Sequence, residues 1–229
     1  PQYRFQYPVG FILAFLFITT LKCLVGAQTI TVNPPGDDTI KNGFPFGPPA
    51  IRWQQVYDDS FFGNLPIRIE SITFFEGFGS IIYPSGFELR MSTSMREPGE
   101  LSDVFGENIG VDESLVFTGP VSFVSSGSTT ITLSSPFIYD PSAGNLLVEI
   151  VHDEGSSGLI QHRAYRRSPV GLERIAATTS GSGSALTTGI DSGFGELVTA
   201  FTAYNVPEPA TSVIALAAFS QLVVRRRHF

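Results

Sequence analysis

Short segments with the composition of β-strands recur every eight to twenty residues between Thr29 and Tyr204, separated by turns rich in Gly and Pro. None of the intervening stretches has the apolar spacing of a long amphipathic helix. This pattern predicts an all-β fold. Nine or ten short strands without intervening helices favour a β-sandwich with jelly-roll or related Greek-key connections.

Three of these segments carry specific structural predictions. Residues 51–57 predict a strand in which Trp53 faces the core. Residues 67–75 predict a strand whose alternation changes phase after Ser71, which indicates a β-bulge, and a separate strand is predicted around Phe87. Residues 146–152 form the most apolar of these segments, with apolar side chains on both faces beside Glu149, which predicts a central strand.

The N-terminal segment has the layout of a signal peptide. Arg4 precedes an apolar run, and the small residues Gly26 and Ala27 follow it. This predicts an N-terminal signal helix over residues 1–27 that signal peptidase cleaves after Ala27. Lys22 stands just before Cys23, the only cysteine, which argues against lipidation. The exported part is therefore expected to fold without disulfides.

The C-terminal segment has three successive parts. The triplet Pro207-Glu208-Pro209 precedes an apolar stretch over residues 210–224, and the cluster Arg225-Arg226-Arg227 follows. A helix of that length would reach about 22 Å at ~1.5 Å per residue, against a hydrocarbon core of ~30 Å. Arginines resist translocation, so the rest of the chain would lie outside the cytoplasm. We predict a marginal transmembrane-type helix here.

This C-terminal arrangement resembles the PEP-CTERM sorting signal of Gram-negative bacteria. The resemblance implies that an exosortase-type enzyme cleaves the tail after transient anchoring in the inner membrane. It also implies delivery to the cell surface or extracellular matrix, and a link to exopolysaccharide. An ordinary tail anchor or an amphipathic terminal helix is the alternative. The residues that carry the resemblance are Val206, Pro207, Glu208, Pro209, Ala210, Thr211, the apolar run, Arg225, Arg226 and Arg227.

The region between the two terminal segments is strongly acidic. Residues 28–205 contain nine basic and twenty acidic side chains, a formal charge of about −11. Such a charge cannot hold a nucleic-acid backbone and suits a soluble extracellular surface. We therefore predict one β-sandwich domain over residues 28–204, a sorting segment over residues 205–229, and no nucleic-acid partner.

The sequence contains no recognisable catalytic motif. It has no Gly-x-Ser-x-Gly, no His-Glu-x-x-His and no phosphate-binding glycine loop. Glu70 and Glu88 could face each other across strands, as the two carboxylates of a glycosidase do. With so many carboxylates, such a pair also arises by chance. We predict that the protein is not an enzyme, and a glycoside hydrolase is the less favoured alternative.

Two groups of side chains could bind a metal ion. His152 and His162 would be neighbours if their strands form a hairpin, although two solvent-facing histidines beside a turn are the simpler interpretation. Acidic loops could supply oxygen ligands for Ca²⁺, but no spacing matches an EF-hand. We predict no cofactor, with Ca²⁺ as the alternative. The loop side chains in question are Asp37, Asp38, Asp58, Asp59, Asp103, Glu107, Asn108, Asp112 and Glu113.

Sugar binding is the main alternative function. β-Sandwich modules stack sugar rings on exposed aromatic side chains. Twenty Phe against one Trp and seven Tyr indicate instead that most aromatic mass serves packing. We predict an exported surface or matrix protein with a structural or adhesive role, and the alternative is a non-catalytic carbohydrate-binding module. The stacking candidates are Trp53 and Tyr57, followed by Phe61, Phe62, Phe78 and Tyr83.

Overall fold

The computed structural model describes most of the region between the two terminal segments. The signal helix predicted for residues 1–27 and the helix predicted after Val206 lie almost wholly outside the described residues. Within them, no helix is both long and apolar enough to cross a membrane. The described residues are 26–32, 40–42, 45–46, 50–123, 127–153, 157–165, 169–179, 182–191 and 195–206.

The described residues form β-strands joined by loops and short 3₁₀ turns. The turns cover Asp59–Phe61, Phe105–Glu107, Pro141–Ala143 and Gly183–Ala185. The strands are β1 (Gln28–Val32), β2 (Ile40–Asn42), β3 (Ala50–Tyr57), β4 (Ile67–Ser94), β5 (Ser114–Phe123), β6 (Ser128–Tyr139), β7 (Asn145–His152), β8 (Ser157–Ala164), β9 (Leu172–Thr179), β10 (Ile190–Asp191) and β11 (Thr199–Asn205).

The strands pair antiparallel and build two sheets. The small sheet has the order β6, first part of β4, β11, β1. The large sheet has the order β10, β9, β3, β7, second part of β4, β5. In addition, β8 pairs with the middle of β4 and β2 pairs with β8. The all-β prediction is confirmed, and the arrangement is consistent with a β-sandwich.

Strand β4 belongs to both sheets. Its pairing with β6 shifts register between Ile69 and Ser71, so the bulge predicted at this point is present. Beyond it the strand continues into the large sheet, where Phe87 lies opposite His152 of β7. A bulge increases local twist, which helps one strand turn from one sheet into the other. The prediction of two separate strands in this region was wrong.

The core lies between the two sheets and is rich in aromatic rings. Trp53 and Tyr57 on β3 are fully buried, as predicted for this face of the strand. Edge-to-face contacts join Tyr57 to Phe201 at 5.2 Å and Phe62 to Tyr139 at 5.1 Å between ring centroids. Burying such a side chain contributes roughly 1.5–3 kcal/mol. The predicted central strand is confirmed, since β7 pairs with both β3 and β4 and all its residues are buried.

A buried glutamine connects β3 to the segment that leads into β11. Gln55 Nε2 donates to the Leu197 carbonyl at 3.0 Å, and the Leu197 backbone N–H donates to Gln55 Oε1 at 2.8 Å. Both backbone groups would otherwise be buried without a partner, which is costly. This reciprocal pair therefore helps hold the last part of the sandwich in place.

The first and last strands lie side by side. Because β1 runs antiparallel to β11, Gln28 lies opposite Ala203, and Gln28 Nε2 is 3.5 Å from Asn205 Oδ1. The Val206 backbone N–H donates to the Pro66 carbonyl at 2.8 Å. The two points at which the predicted terminal segments join the sandwich are therefore adjacent, at one end of the small sheet.

Candidate functional site

A polar groove of about 290 Å³ lies on the outer face of the large sheet. Side chains alternate between the two faces of a strand, so residues next to core residues point outward here. The register of β3, β7 and β4 places side chains of all three strands side by side, since Glu149 lies opposite Gln54 on one side and Arg90 on the other. The groove is lined by Arg52, Glu88, Arg90, Ile109, Glu113, Glu149, Val151 and Ser184.

Glu149 is the most buried charged group of this groove, with a side chain only 4% exposed. Its Oε1 accepts hydrogen bonds from Arg52 Nε and from Gln54 Nε2, both at 2.8 Å. Its Oε2 has no hydrogen-bond partner among the described residues. A nearly buried carboxylate is thus held in place through one oxygen, while the other has capacity to accept.

A hydrogen-bond network fastens the loop of residues 95–113 onto this face. Gln54 Nε2 also donates to the Phe105 carbonyl at 3.1 Å, and Asn108 Nδ2 donates to Gln54 Oε1 at 3.0 Å. Asn108 Oδ1 in turn accepts from the Ser102 backbone N–H at 2.8 Å. The loop contributes Ile109 to the groove, so its anchoring fixes that wall.

Two guanidinium groups balance most of the negative charge in the groove. Arg90 Nη2 lies 2.8 Å from Glu88 Oε2, and Arg90 Nη1 lies 3.4 Å from Glu113 Oε1. The hydrogen bond to Glu88 raises the pKa of Arg90, which keeps it charged. Arg52 donates through Nη1 to the Leu186 carbonyl at 3.0 Å and lies 5.0 Å from the centroid of the Phe105 ring. The lining therefore has an excess of one negative charge.

A second, open groove of about 440 Å³ lies at the end of the sandwich. Its apolar lining is exposed, with Met95 at 82% and Ile138 at 52%. Its carboxylates already serve local structure. Asp112 accepts from the Thr93 backbone N–H at 2.7 Å and from Thr93 Oγ1 at 2.6 Å, and Asp140 accepts within its own turn. The surface of this groove is mostly apolar, so it suits a polar ligand less well than the first groove does.

The two histidines considered as metal ligands are core residues. Strand β7 pairs with β3 and β4, whereas β8 pairs with β2 and β4, so the two strands do not form the hairpin considered for the metal site. The simpler interpretation of two solvent-facing histidines was wrong, because both are buried. His152 Nε2 lies 2.9 Å from the Pro45 carbonyl, and His162 packs 4.4 Å from the Phe46 ring. Burial lowers the pKa of both, that of His162 to about 3.

The acidic side chains considered for Ca²⁺ do not converge in the described part of the chain. No group of three or more His, Cys, Asp and Glu side chains there has the geometry to hold a metal ion. Asp58 accepts from the Ser60 backbone N–H at 3.0 Å, and Glu107 accepts from Ser102 Oγ at 2.7 Å. Asp37 and Asp38 lie outside the described residues.

Three of the aromatic candidates for sugar stacking lie inside the core. Trp53 and Tyr57 have no exposed surface, and Phe62 is buried against Tyr139. A ring inside the core has no free face for a sugar. The prediction that Trp53 and Tyr57 stack on sugars was therefore wrong, and both rings pack in the core. Phe61 is half-buried. The side chains of Phe78 and Tyr83 lie outside the described part.

The carboxylate pair considered for glycoside hydrolysis does not exist. Glu70 and Glu88 lie on the same strand, β4, in different sheets, so they cannot face each other across strands. Each instead forms an ion pair two residues away, Glu70 with Arg68 and Glu88 with Arg90.

Only two of the residues singled out for processing are described. Ala27, the predicted cleavage position, is exposed, and Val206 is half-buried. Pro207, Glu208, Pro209 and Arg225 to Arg227 lie outside the described residues.

Sequence reasoning missed the polar groove. The available signal was Glu149, a charged residue inside an otherwise apolar strand.

Comparison with known proteins adds little to this description. No family model and no curated protein sequence matches the chain. Among solved structures, a chain of the T13 IBDV viral particle is similar over 80% of this chain and 40% of its own length, at 9% sequence identity. The TM-score of 0.26 is too low to support any argument about fold or function.

Proposed function

We propose that this protein is exported and sorted by an exosortase-type enzyme to the cell surface or extracellular matrix. There, a β-sandwich of jelly-roll or Greek-key type would have a structural or adhesive role, not a catalytic one. Signal peptidase and the exosortase-type enzyme would be its processing partners, and exopolysaccharide its setting.

The adjacency of the first and last residues of the sandwich is the observation that best supports this proposal. Gln28 and Asn205 are neighbours at one end of the small sheet. A signal helix before Ala27 and a membrane helix after Val206 would therefore leave the sandwich at the same place. Both could insert into one membrane without unfolding a strand, and two cleavages close together would release the folded sandwich.

Charge and the use of aromatic side chains favour a structural role. About −11 charges over residues 28–205 suit a soluble surface outside the cell. Most of the large aromatic side chains whose burial is described lie in the core. In the polar groove, Glu149 pairs with Arg52 across the neighbouring strands β7 and β3, which is a structural use of a carboxylate.

Mass spectrometry of the mature protein tests the sorting. We would express the full chain in a Gram-negative host that has an exosortase, and in the same host without the exosortase gene. We expect the surface form from the first host to lack Arg225 to Arg227, and the second host to retain the full tail in its inner membrane. A surface protein from the first host that still carries the three arginines would contradict the proposal.

A pair of variants in the tail sharpens this test. Glu208→Ala alters the Pro-Glu-Pro triplet, and His228→Ala changes a residue of the same segment that does not carry the resemblance. We expect the first to accumulate uncleaved in the membrane fraction and the second to be processed normally. Equal processing of both would show that the triplet is not the recognised feature.

A further inference from the structure

We propose that the polar groove on the outer face of the large sheet binds a neutral saccharide. Binding here would be a property of the folded sandwich and would not depend on how the chain is sorted. The site differs from the aromatic surface considered from the sequence, because its floor consists of charged side chains.

The groove contains both hydrogen-bond donors and hydrogen-bond acceptors that have no partner among the described residues. Glu149 Oε2 is an acceptor without a partner among the described residues, and its side chain is 96% buried. Arg52 uses Nε and Nη1, which leaves Nη2 as a donor without a partner in the same set. Glu88 binds Arg90 through Oε2, so its Oε1 is also an acceptor without a partner there.

Hydroxyl groups complement this combination. A hydroxyl can donate to a carboxylate and accept from a guanidinium at once, whereas an ammonium only donates and a carboxylate only accepts. Adjacent hydroxyls on a sugar ring can therefore bridge Glu149 and Arg52. Hydrogen bonds to charged partners are stronger than neutral ones, so a few of them give useful affinity.

The charge of the groove disfavours ionic ligands. Two arginines and three glutamates line it, and most of these charges already neutralise one another. An anion would meet the excess negative charge of the surrounding surface. A cation would be repelled by the guanidinium groups of Arg52 and Arg90 and could not accept from the Arg52 donor. A neutral polyhydroxylated molecule meets neither obstacle.

Size and rigidity also fit one part of a polysaccharide. The groove, at about 290 Å³, is near the lower limit of the ~300–1,000 Å³ typical of ligand clefts, and it is open. Ile109 and Val151 supply aliphatic surface for the C–H groups of a sugar ring. The network through Gln54 and Asn108 holds the floor and one wall in position before binding, which reduces the entropy cost.

Calorimetric titration of the purified full chain in mild detergent tests the proposal. The probes are cellohexaose and maltohexaose as neutral oligosaccharides, a polygalacturonate oligomer as the anionic one, and a chitosan oligomer as the cationic one. We expect a neutral probe to bind at least tenfold more tightly than either charged probe. Failure of both neutral probes to bind, or tighter binding of a charged probe, would overturn the proposal.

Two matched variants locate the site. Glu88→Gln changes the groove, while Glu70→Gln changes an equivalent ion pair on the same strand in the other sheet. Glutamine keeps an acceptor oxygen but loses the charge, and a hydrogen bond to a charged group is roughly twice as strong as a neutral one, which corresponds to roughly a 3- to 10-fold loss of affinity. We expect that loss for Glu88→Gln and unchanged affinity for Glu70→Gln, with equal urea midpoints for both. Equal affinities in the two variants would rule out this groove as the site.

Discussion

Two histidines in the aromatic part of the core stay uncharged because they are buried. Neither nitrogen of His162 has a hydrogen-bond partner among the described residues, and the rings of Phe46 and Phe123 pack around it. Burial lowers its pKa from 6.5 to about 3, and the nearby Phe75 backbone offsets only part of this effect. His152 is affected in the same direction. Acid should therefore destabilise the fold through these groups.

We predict that His162→Leu weakens the dependence of stability on pH. Between about pH 6.5 and pH 3 the unfolded chain takes up a proton at His162 and the folded chain does not, so the free energy of unfolding falls as pH falls. One such group contributes up to roughly 1.4 kcal/mol per pH unit inside this window. Leucine removes that contribution while keeping an apolar side chain of similar size among the rings.

Urea unfolding at several pH values between about 4 and 7 measures this effect. We expect a shallower slope of unfolding free energy against pH for His162→Leu than for the wild type. Gln161→Leu, at the adjacent and less buried position, should keep the wild-type slope. Identical slopes for all three proteins would mean that His162 does not titrate as described.

At the scale of elements, the loop of residues 95–113 depends on close contact with β4. A Cβ on Gly110 would lie 1.9 Å from the Thr93 carbonyl oxygen, a backbone atom that cannot move aside. We predict that Gly110→Ala destabilises the protein by roughly 1–3 kcal/mol. It should also weaken saccharide binding, because the neighbouring Ile109 forms one wall of the groove.

Gly106 provides the control for this loop. A Cβ at Gly106 would meet no atom within 4 Å. Gly106→Ala should change stability by no more than about 0.5 kcal/mol. The two variants are compared by urea midpoint and by affinity for the neutral oligosaccharide. A Gly110→Ala protein as stable as Gly106→Ala would show that the loop does not need this contact.

The elements also show what sequence patterns can and cannot predict. Alternation placed Trp53 in the core and Arg52 on the opposite face, because both follow from the geometry of a single strand. Strand β9 was not predicted. Its residue Glu173 is buried because its carboxylate accepts from the backbone N–H groups of Gly99 and Leu101, at 2.9 and 2.8 Å. Such long-range partners leave no local pattern.

The groove could not be predicted from the sequence either, because it also depends on contacts between residues far apart in the chain. Arg52, Glu88 and Glu149 could each be assigned to an outward face, but their meeting depends on β7 lying between β3 and β4. Strand order is a property of the whole fold. Likewise, the two buried histidines resembled polar surface residues, because burial of an isolated imidazole depends on rings from other strands.

At the scale of the molecule, charge should make stability depend on salt. About −11 charges over residues 28–205 repel one another, and this repulsion is screened over ~8 Å at physiological ionic strength. We predict that raising NaCl from low concentration to a few tenths molar increases the urea midpoint. The nearly buried pair of Arg52 and Glu149 should be little affected by screening. A midpoint that falls with added salt would contradict this prediction.

The pairing of β1 with β11 also determines how the protein would respond to mechanical force. Pulling Gln28 away from Asn205 would load the β1–β11 hydrogen bonds one at a time, so β1 would peel off at low force. A force applied at Asn205 would be transmitted from β11 to β4, because β11 pairs with β4 along its length. Strand β4 continues into the large sheet and carries Glu88 and Arg90. One continuous strand, β4, thus connects β11, the last described strand, with the groove.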